Sequence, residues 1–237
     1  MYCRRDDYAF LPPGAAGGLP CDSGSVHTRD PRAIAIQMWN ELRLPQITLG
    51  MNPHTGLVAL PTWFWIDGYD GSTFGTSQTL LLPKQVCHSV VERDAGGNAV
   101  LDGDGHVSSH DECSTAWDNL SVEIGVWPQA YDWDFGDGGQ HVGCAGLVAC
   151  TGGLGRAYTD PYTVSPIAHA YTWSSLGVGG AADAYTIQVD VTFGAHFRFS
   201  LNGQAGDGGS WDTLEPRQVT TSATQKVQEV QAVLSRP

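Results

Sequence analysis

From Leu120 to Trp127 apolar and polar side chains take turns without a break, and the same period of two returns in Tyr185–Phe193 and in His196–Leu201. Successive side chains of a β-strand point to opposite faces, so these runs predict strands with one face buried. Shorter apolar runs at Gln46–Leu49, Leu57–Ile66, Thr79–Leu82, Val86–Val91 and Asn98–Leu101 read as further strands. Asp67-Gly68 and Asp70-Gly71 are turn signals, and Asp102-Gly103-Asp104-Gly105 predicts a hairpin turn between Val100-Leu101 and His106-Val107. A helical period occurs once, in Ile34, Met38 and Leu42. It follows Asp30-Pro31, an N-capping residue and a proline suited to the first helical position, and Pro45 marks its end. That stripe is expected to enter the core. Lys226–Leu234 fits a helix or a strand equally well.

Many short strands separated by Gly-rich turns predict a mostly β protein, an antiparallel sandwich with a short N-terminal helix and an additional β-rich region. Four segments are expected: an irregular Gly/Pro/Cys-rich stretch over 1–30, helix plus β-rich region over 31–119, a sandwich over 120–200, and a tail over 201–237 packing back on the fold. An ordered Gly/Pro stretch has to be tied down, by a disulfide or by a neighbouring copy.

Composition narrows the partners. The 237 residues are 41% hydrophobic and only 16% charged, with a net charge of −13. Binding to nucleic acid needs a basic footprint, and inserting in a membrane as a helix needs about 18 consecutive apolar residues. The chain offers neither, so nucleic acid and membrane insertion are not expected. Met1–Asp7 lacks the apolar stretch of an export signal; export is expected to use a leader not in this sequence, or another route.

Cys3, Cys21, Cys87, Cys113, Cys144 and Cys150 are even in number and lack CxxC spacing, which favours disulfides over zinc. Nearest-neighbour pairing (Cys3–Cys21, Cys87–Cys113, Cys144–Cys150) closes the shortest loops, each contributing about 2–4 kcal/mol. The competing reading is six reduced, buried thiols. Disulfides point to an extracellular or cell-surface location.

Tyr131-Asp132-Trp133-Asp134-Phe135-Gly136-Asp137-Gly138 resembles the WDFGDG signature of PKD domains. The likeness continues through Pro166, His169 and Tyr171 to Tyr185-Thr186-Ile187-Gln188-Val189. It implies a seven-stranded immunoglobulin-like sandwich from about Leu120 to Phe193. Trp133 and Phe135 alternate inward between its sheets, Asp134 and Asp137 hold a tight turn, Gly136 and Gly138 supply positive φ, and His169 and Tyr171 share a face. Residues 139–165 separate these motifs, an insertion longer than the family usually has there. Asn52–Trp65 and Val227–Leu234 are similar to stretches of large bacterial secreted PKD proteins, which implies a surface or secreted location.

Other chemistry is sparse. Asp102, Asp104 and Asp111 fit part of a calcium loop, but Val100 falls where the first ligand belongs. Calcium is the one cofactor in question; no other is expected. Trp63, Trp65, Tyr69, Trp127, Tyr131 and Trp133 have the spacing of strand residues and read as core before sugar-stacking platforms, whereas Trp173 and Trp211 sit among small polar residues and are expected to be exposed. Asn119-Leu120-Ser121 is a glycosylation sequon. No G-x-S-x-G, H-E-x-x-H or P-loop motif is present, so no catalytic residue is assigned and the chain is not expected to be an enzyme. The leading expectation is an extracellular structural or assembly protein, a surface, filament or adhesion subunit that binds copies of itself or other surface proteins. The alternative is a carbohydrate- or protein-binding module.

Overall fold

The computed structural model describes residues 30–139, 142–145, 153–160, 162–163 and 165–229. The Gly/Pro stretch before Asp30, the Cys3–Cys21 pairing, and the Cys144–Cys150 pairing lie outside the described residues or side chains, as does the tail beyond Glu229.

The helix α1 runs over Pro31–Glu41. Its start is the predicted one: Asp30 Oδ1 accepts the Arg32 N–H at 2.9 Å, satisfying one of the donors that a helix N-terminus leaves free. The buried stripe is different. Pro31, Ala35, Met38 and Trp39 face inward, Ile34 is half-buried, and Leu42 lies beyond the last turn. Trp39 offers more apolar surface than Ile34, and the face that carries it is the one removed from water.

Ten strands follow among the described residues, and they make the protein mostly β: β1 (Thr48–Asn52), β2 (Thr55–Leu57), β3 (Pro61–Asp67), β4 (Phe74–Val91), β5 (Ser109–Asp134), β6 (Val142–Ala145), β7 (Ala168–Ala170), β8 (Tyr185–Leu201), β9 (Gln204–Ala205) and β10 (Asp212–Gln228). One sheet has the order β1-β3-β7; the other has the order β2-β10-β8-β5-β4, with β6 on β5 and β9 on β8. Several predicted runs fuse: Thr79–Leu82 and Val86–Val91 are one strand, and β8 passes through Gly194 without a break. Leu57–Ile66 instead splits where Ala59 takes φ 67°, and Pro61, which cannot donate to a ladder, opens the next strand. The run from Lys226 begins as strand. Antiparallel pairing is not universal, because Thr55–Leu57 runs parallel to Lys226–Gln228; the connection between β2 and β10 spans most of the chain, so no hairpin forces them antiparallel.

The chain divides into two compact units that interleave in sequence: 1–40, 76–124 and 197–212 in the first; 41–75, 125–196 and 213–237 in the second. The boundaries expected at 120 and 200 fall inside β5 and β8.

In the first unit, α1 is held by Arg32, which pairs with Asp212 and lies over the Phe197 ring at 5.9 Å. Asp118 is buried and accepts from Lys84 Nζ at 2.9 Å and from Asn202 Nδ2 at 2.7 Å, so this interior charge is paired. Asn202-Gly203 forms the two-residue turn of the β8–β9 hairpin, both at positive φ (52° and 79°), as such turns require.

In the second unit both sheets meet. Phe64 of β3 packs against Trp133 of β5 at 6.4 Å and against Phe135 at 5.1 Å; all three are essentially inaccessible to water. The alternation of β5 and β8 is the predicted one, with Val126, Ile187, Val189, Val191 and Phe193 buried.

Candidate functional site

Three surfaces hold the residues singled out above. The first is the turn after β5, in the second unit. Asp134 Oδ1 accepts the Gly136 N–H at 2.8 Å, and Asp137 Oδ1 accepts the Gly139 N–H at 3.0 Å. Gly136 and Gly138 have φ of 76° and 73°. A Cβ on Gly136 would stand 2.3 Å from the Thr186 carbonyl oxygen, so the turn tolerates no side chain there. His169 stacks on Phe135 with ring centroids 4.4 Å apart, and its Nε2 lies 2.8 Å from Asp137 Oδ2. Tyr171 stands 4.6 Å from His169, stacks on Tyr185 at 4.6 Å, and donates its hydroxyl to the Phe135 carbonyl at 3.3 Å. Burial first, then the charges of Asp137, Tyr185 and Asp134, push the Tyr171 phenol well above its ordinary range; burial pushes the Tyr131 phenol up to about 12. Phe135 and Tyr171 are buried, whereas the hydrogen bonds of Asp134 and Asp137 lie at the surface, so the turn caps the edge of the core.

The second surface belongs to the first unit. Strands β4 and β5 run out as a ribbon whose contacts keep a single register: Thr79 with Ser121 at 2.9 Å, the Cys87–Cys113 disulfide with S–S 2.02 Å, and His88 with Glu112 at 3.7 Å. At its end three paired segments meet. Glu92 N–H donates to Ser108 O (3.0 Å), Val100 N–H to Glu92 O (2.8 Å) and Ser108 N–H to Val100 O (2.7 Å), a closed ring of backbone bonds. Two prongs leave this junction, paired at Arg93–Ala99 and Leu101–Val107. Their tips share one chemistry. Asp94 Oδ1 accepts the N–H groups of Gly96 and Asn98, both at 2.9 Å, and Asp102 Oδ1 accepts those of Asp104 (3.0 Å) and His106 (2.8 Å). Gly97 and Gly105 supply φ of 83° and 81°. The predicted 102–105 turn is the second prong; the first, Asp94-Ala95-Gly96-Gly97-Asn98, repeats its pattern eight positions earlier, a repeat that strand alternation alone does not reveal. Val86, Val91, Val100, Leu101 and Val107 are all exposed on this ribbon.

Among the described residues no three His, Cys, Asp or Glu side chains form a metal-holding group. Asp102 turns its oxygen inward to its own loop, and Asp111 sits on β5 beyond the junction, so Asp102, Asp104 and Asp111 do not converge.

The third surface is the outer face of the three-stranded sheet, in the second unit. Strand β3 alternates buried Thr62, Phe64 and Ile66 with half-buried Trp63 and Trp65. Trp65 stands opposite Gly50 and Trp63 opposite Asn52, while Ala168 flanks Trp63 on the other side. A Cβ on Gly50 would lie 2.1 Å from the Trp65 ring: the indole occupies the space above the glycine and lies across the neighbouring strand. Trp65 Nε1 donates to Asp67 Oδ1 at 3.0 Å, and Tyr158 meets Trp63 edge-on at 5.2 Å. Beyond Asp67 an open depression of about 630 Å³ is lined by Pro45, Ile66, Asp67, Tyr69, Asp70 and Phe74. Desolvation raises the Tyr69 phenol well above its usual range, and its hydroxyl donates to the Ser72 carbonyl at 2.7 Å.

The six strand aromatics thus divide, with Tyr69 edge-on to Phe193 at 5.5 Å. Tyr131 and Trp133 are core, Trp63 and Trp65 face outward, and Trp127 packs on His196 at 4.8 Å above Gly194. Trp173 and Trp211 are both exposed as predicted, at 75% and 39%, the second with the Arg198 guanidinium 4.6 Å from its ring.

Set against protein-family models, curated proteins and solved structures, the chain matches none. No described helix is long and apolar enough to cross a membrane.

Proposed function

We propose that this chain is an exported protein of the PKD-type immunoglobulin-like class that works outside the cell as a structural or adhesive element, engaging copies of itself or other surface proteins rather than turning over a substrate. The observation that carries the reading is the β4–β5 ribbon. A two-stranded ribbon open to water on both faces is marginal alone, yet this one is long, closed by a disulfide and lined with exposed apolar side chains. Disulfides persist in oxidising compartments, and Leu101 and Val107, both exposed and paired across the second prong, offer apolar surface to a partner. The packing of Phe64 on Trp133 and Phe135 supports the sandwich part of the reading, and so does the positive φ of the turn glycines. Fold alone does not fix function, so the test addresses assembly directly. Size-exclusion chromatography with light scattering over a wide concentration range, with negative-stain imaging, should show oligomers or arrays. Leu101→Ser/Val107→Ser should shift the protein toward monomer. Monomers alone at every concentration would sink the assembly reading.

A further inference from the structure

We infer that the outer face of β1, β3 and β7 is a binding site for a neutral, linear polysaccharide, with Trp63 and Trp65 as two stacking subsites along β3. This face lies wholly within the second unit, so the site does not depend on whether the chain self-associates.

Two tryptophans two positions apart on a strand are separated by about 6.6 Å, the scale of a single sugar ring. Gly50 leaves room for the Trp65 indole to lie down on the sheet instead of standing off it, and Trp63 is flanked by Asn52 and the small Ala168. Each ring is half-buried; the Trp65 indole lies on the sheet over Gly50, and Trp63 is met on one side by Tyr158. A sugar ring presents C–H groups on its faces and hydroxyls on its rim, so it matches an aromatic surface edged by acceptors. The edge here is acidic. Asp67 holds the Trp65 indole with one carboxylate oxygen and keeps a second to accept a hydroxyl. Asp70, also exposed, fixes the Ser72 N–H at 2.9 Å in the depression beyond. Tyr158 walls the opposite end against Trp63. A chain lying along β3 would therefore run from Tyr158 over Trp63 and Trp65 to Asp67. Carboxylates at that end, on a chain of net charge −13, repel an anionic polymer and accept from a neutral one.

Affinity gel electrophoresis against hydroxyethylcellulose, glycol chitin and xylan, with polygalacturonate as the anionic counterpart, tests this. The expected result is retardation by at least one neutral polymer and none by polygalacturonate. Trp63→Ala and Trp65→Ala should each weaken binding about tenfold or more, in line with the loss of one stacked ring. Trp65→Tyr should retain part of the affinity, and Trp173→Ala should change nothing. If Trp65→Ala does not fold, Trp63→Ala and Trp65→Tyr carry the test. Failure to bind any neutral polymer, binding that survives Trp63→Ala/Trp65→Ala, or preference for polygalacturonate would overturn the inference.

Discussion

Asp137 joins two elements through one carboxylate. Burial opposes its charge, but the hydrogen bond from His169, the Gly139 N–H and the nearness of His169 outweigh that cost, so its carboxyl lies below the ordinary range. A carboxylate whose folded value is depressed stabilises the fold fully above its unfolded value, about 3.9, and loses that contribution as the pH falls through the lower folded value. Asp70, Asp94 and Asp160 are lowered as well, each chiefly by hydrogen bonds within its own turn, to Ser72, Asn98 and Thr163 respectively, so the acid limb of the whole protein belongs to several groups. Comparison with Asp137→Asn isolates one. In urea titrations the wild type should be more stable than the variant at pH 6, and the gap should close as the pH falls from about 4 toward 2; a gap of equal size at pH 6 and pH 2.5 would show that the charge contributes nothing. At this scale much was legible in the sequence, because the turn chemistry of residues 131–138 is local: short acceptors followed by glycines need no knowledge of the rest of the chain. The side chain that meets Asp137 was legible only as a face shared with Tyr171, since spacing along a strand does not say which loop lies opposite.

Among the elements, the ribbon depends most on a covalent bond. Its two strands bury little of each other, with Ser109–Thr115 exposed throughout, so hydrophobic burial contributes little to holding them together. The disulfide links residues 26 apart, and chain entropy assigns a loop of that size about 3.5 kcal/mol. Cys87→Ser/Cys113→Ser should therefore loosen the ribbon and its prongs first. Hydrogen exchange and limited proteolysis should quicken between residues 84 and 116, while the amides around Trp133 and Ile187 keep their protection; uniform loss of protection in both regions would mean that the bond holds the whole fold. The strands themselves could be read from alternation, and the helix start from Asp30-Pro31. Three features could not. The ring of bonds joining Glu92, Val100 and Ser108 arises from the eight-residue spacing of two similar turns, which scanning for single hairpins passes over. The space that the Trp65 indole fills is left by Gly50 on a different strand. The helix stripe followed Trp39 because burial area, not the best-looking period, decided the face.

For the molecule as a whole, the two units draw on alternate stretches of sequence, and no boundary is marked by composition because the long strands pass from one stretch to the next, so neither unit is legible as a linear segment. Charge, by contrast, is a whole-chain property that the sequence states directly. At −13, two copies repel each other, and the ribbon is no exception: between Lys84 and Trp117, Glu92, Asp94, Asp102, Asp104, Asp111 and Glu112 face only Lys84 and Arg93 as fixed cations. If copies associate through Leu101, Val107 and their apolar neighbours, attraction is hydrophobic and the opposing term is electrostatic. Salt shortens the reach of that repulsion, from about 30 Å at 0.01 M to about 10 Å at 0.1 M, and leaves apolar contact essentially intact. The weight-average mass at fixed protein concentration should therefore rise as NaCl is increased across that range, and Leu101→Ser/Val107→Ser should flatten the response. A mass that falls with added salt would mean that ion pairs, not apolar side chains, join the copies, and the ribbon would then lose its claim to be the contact.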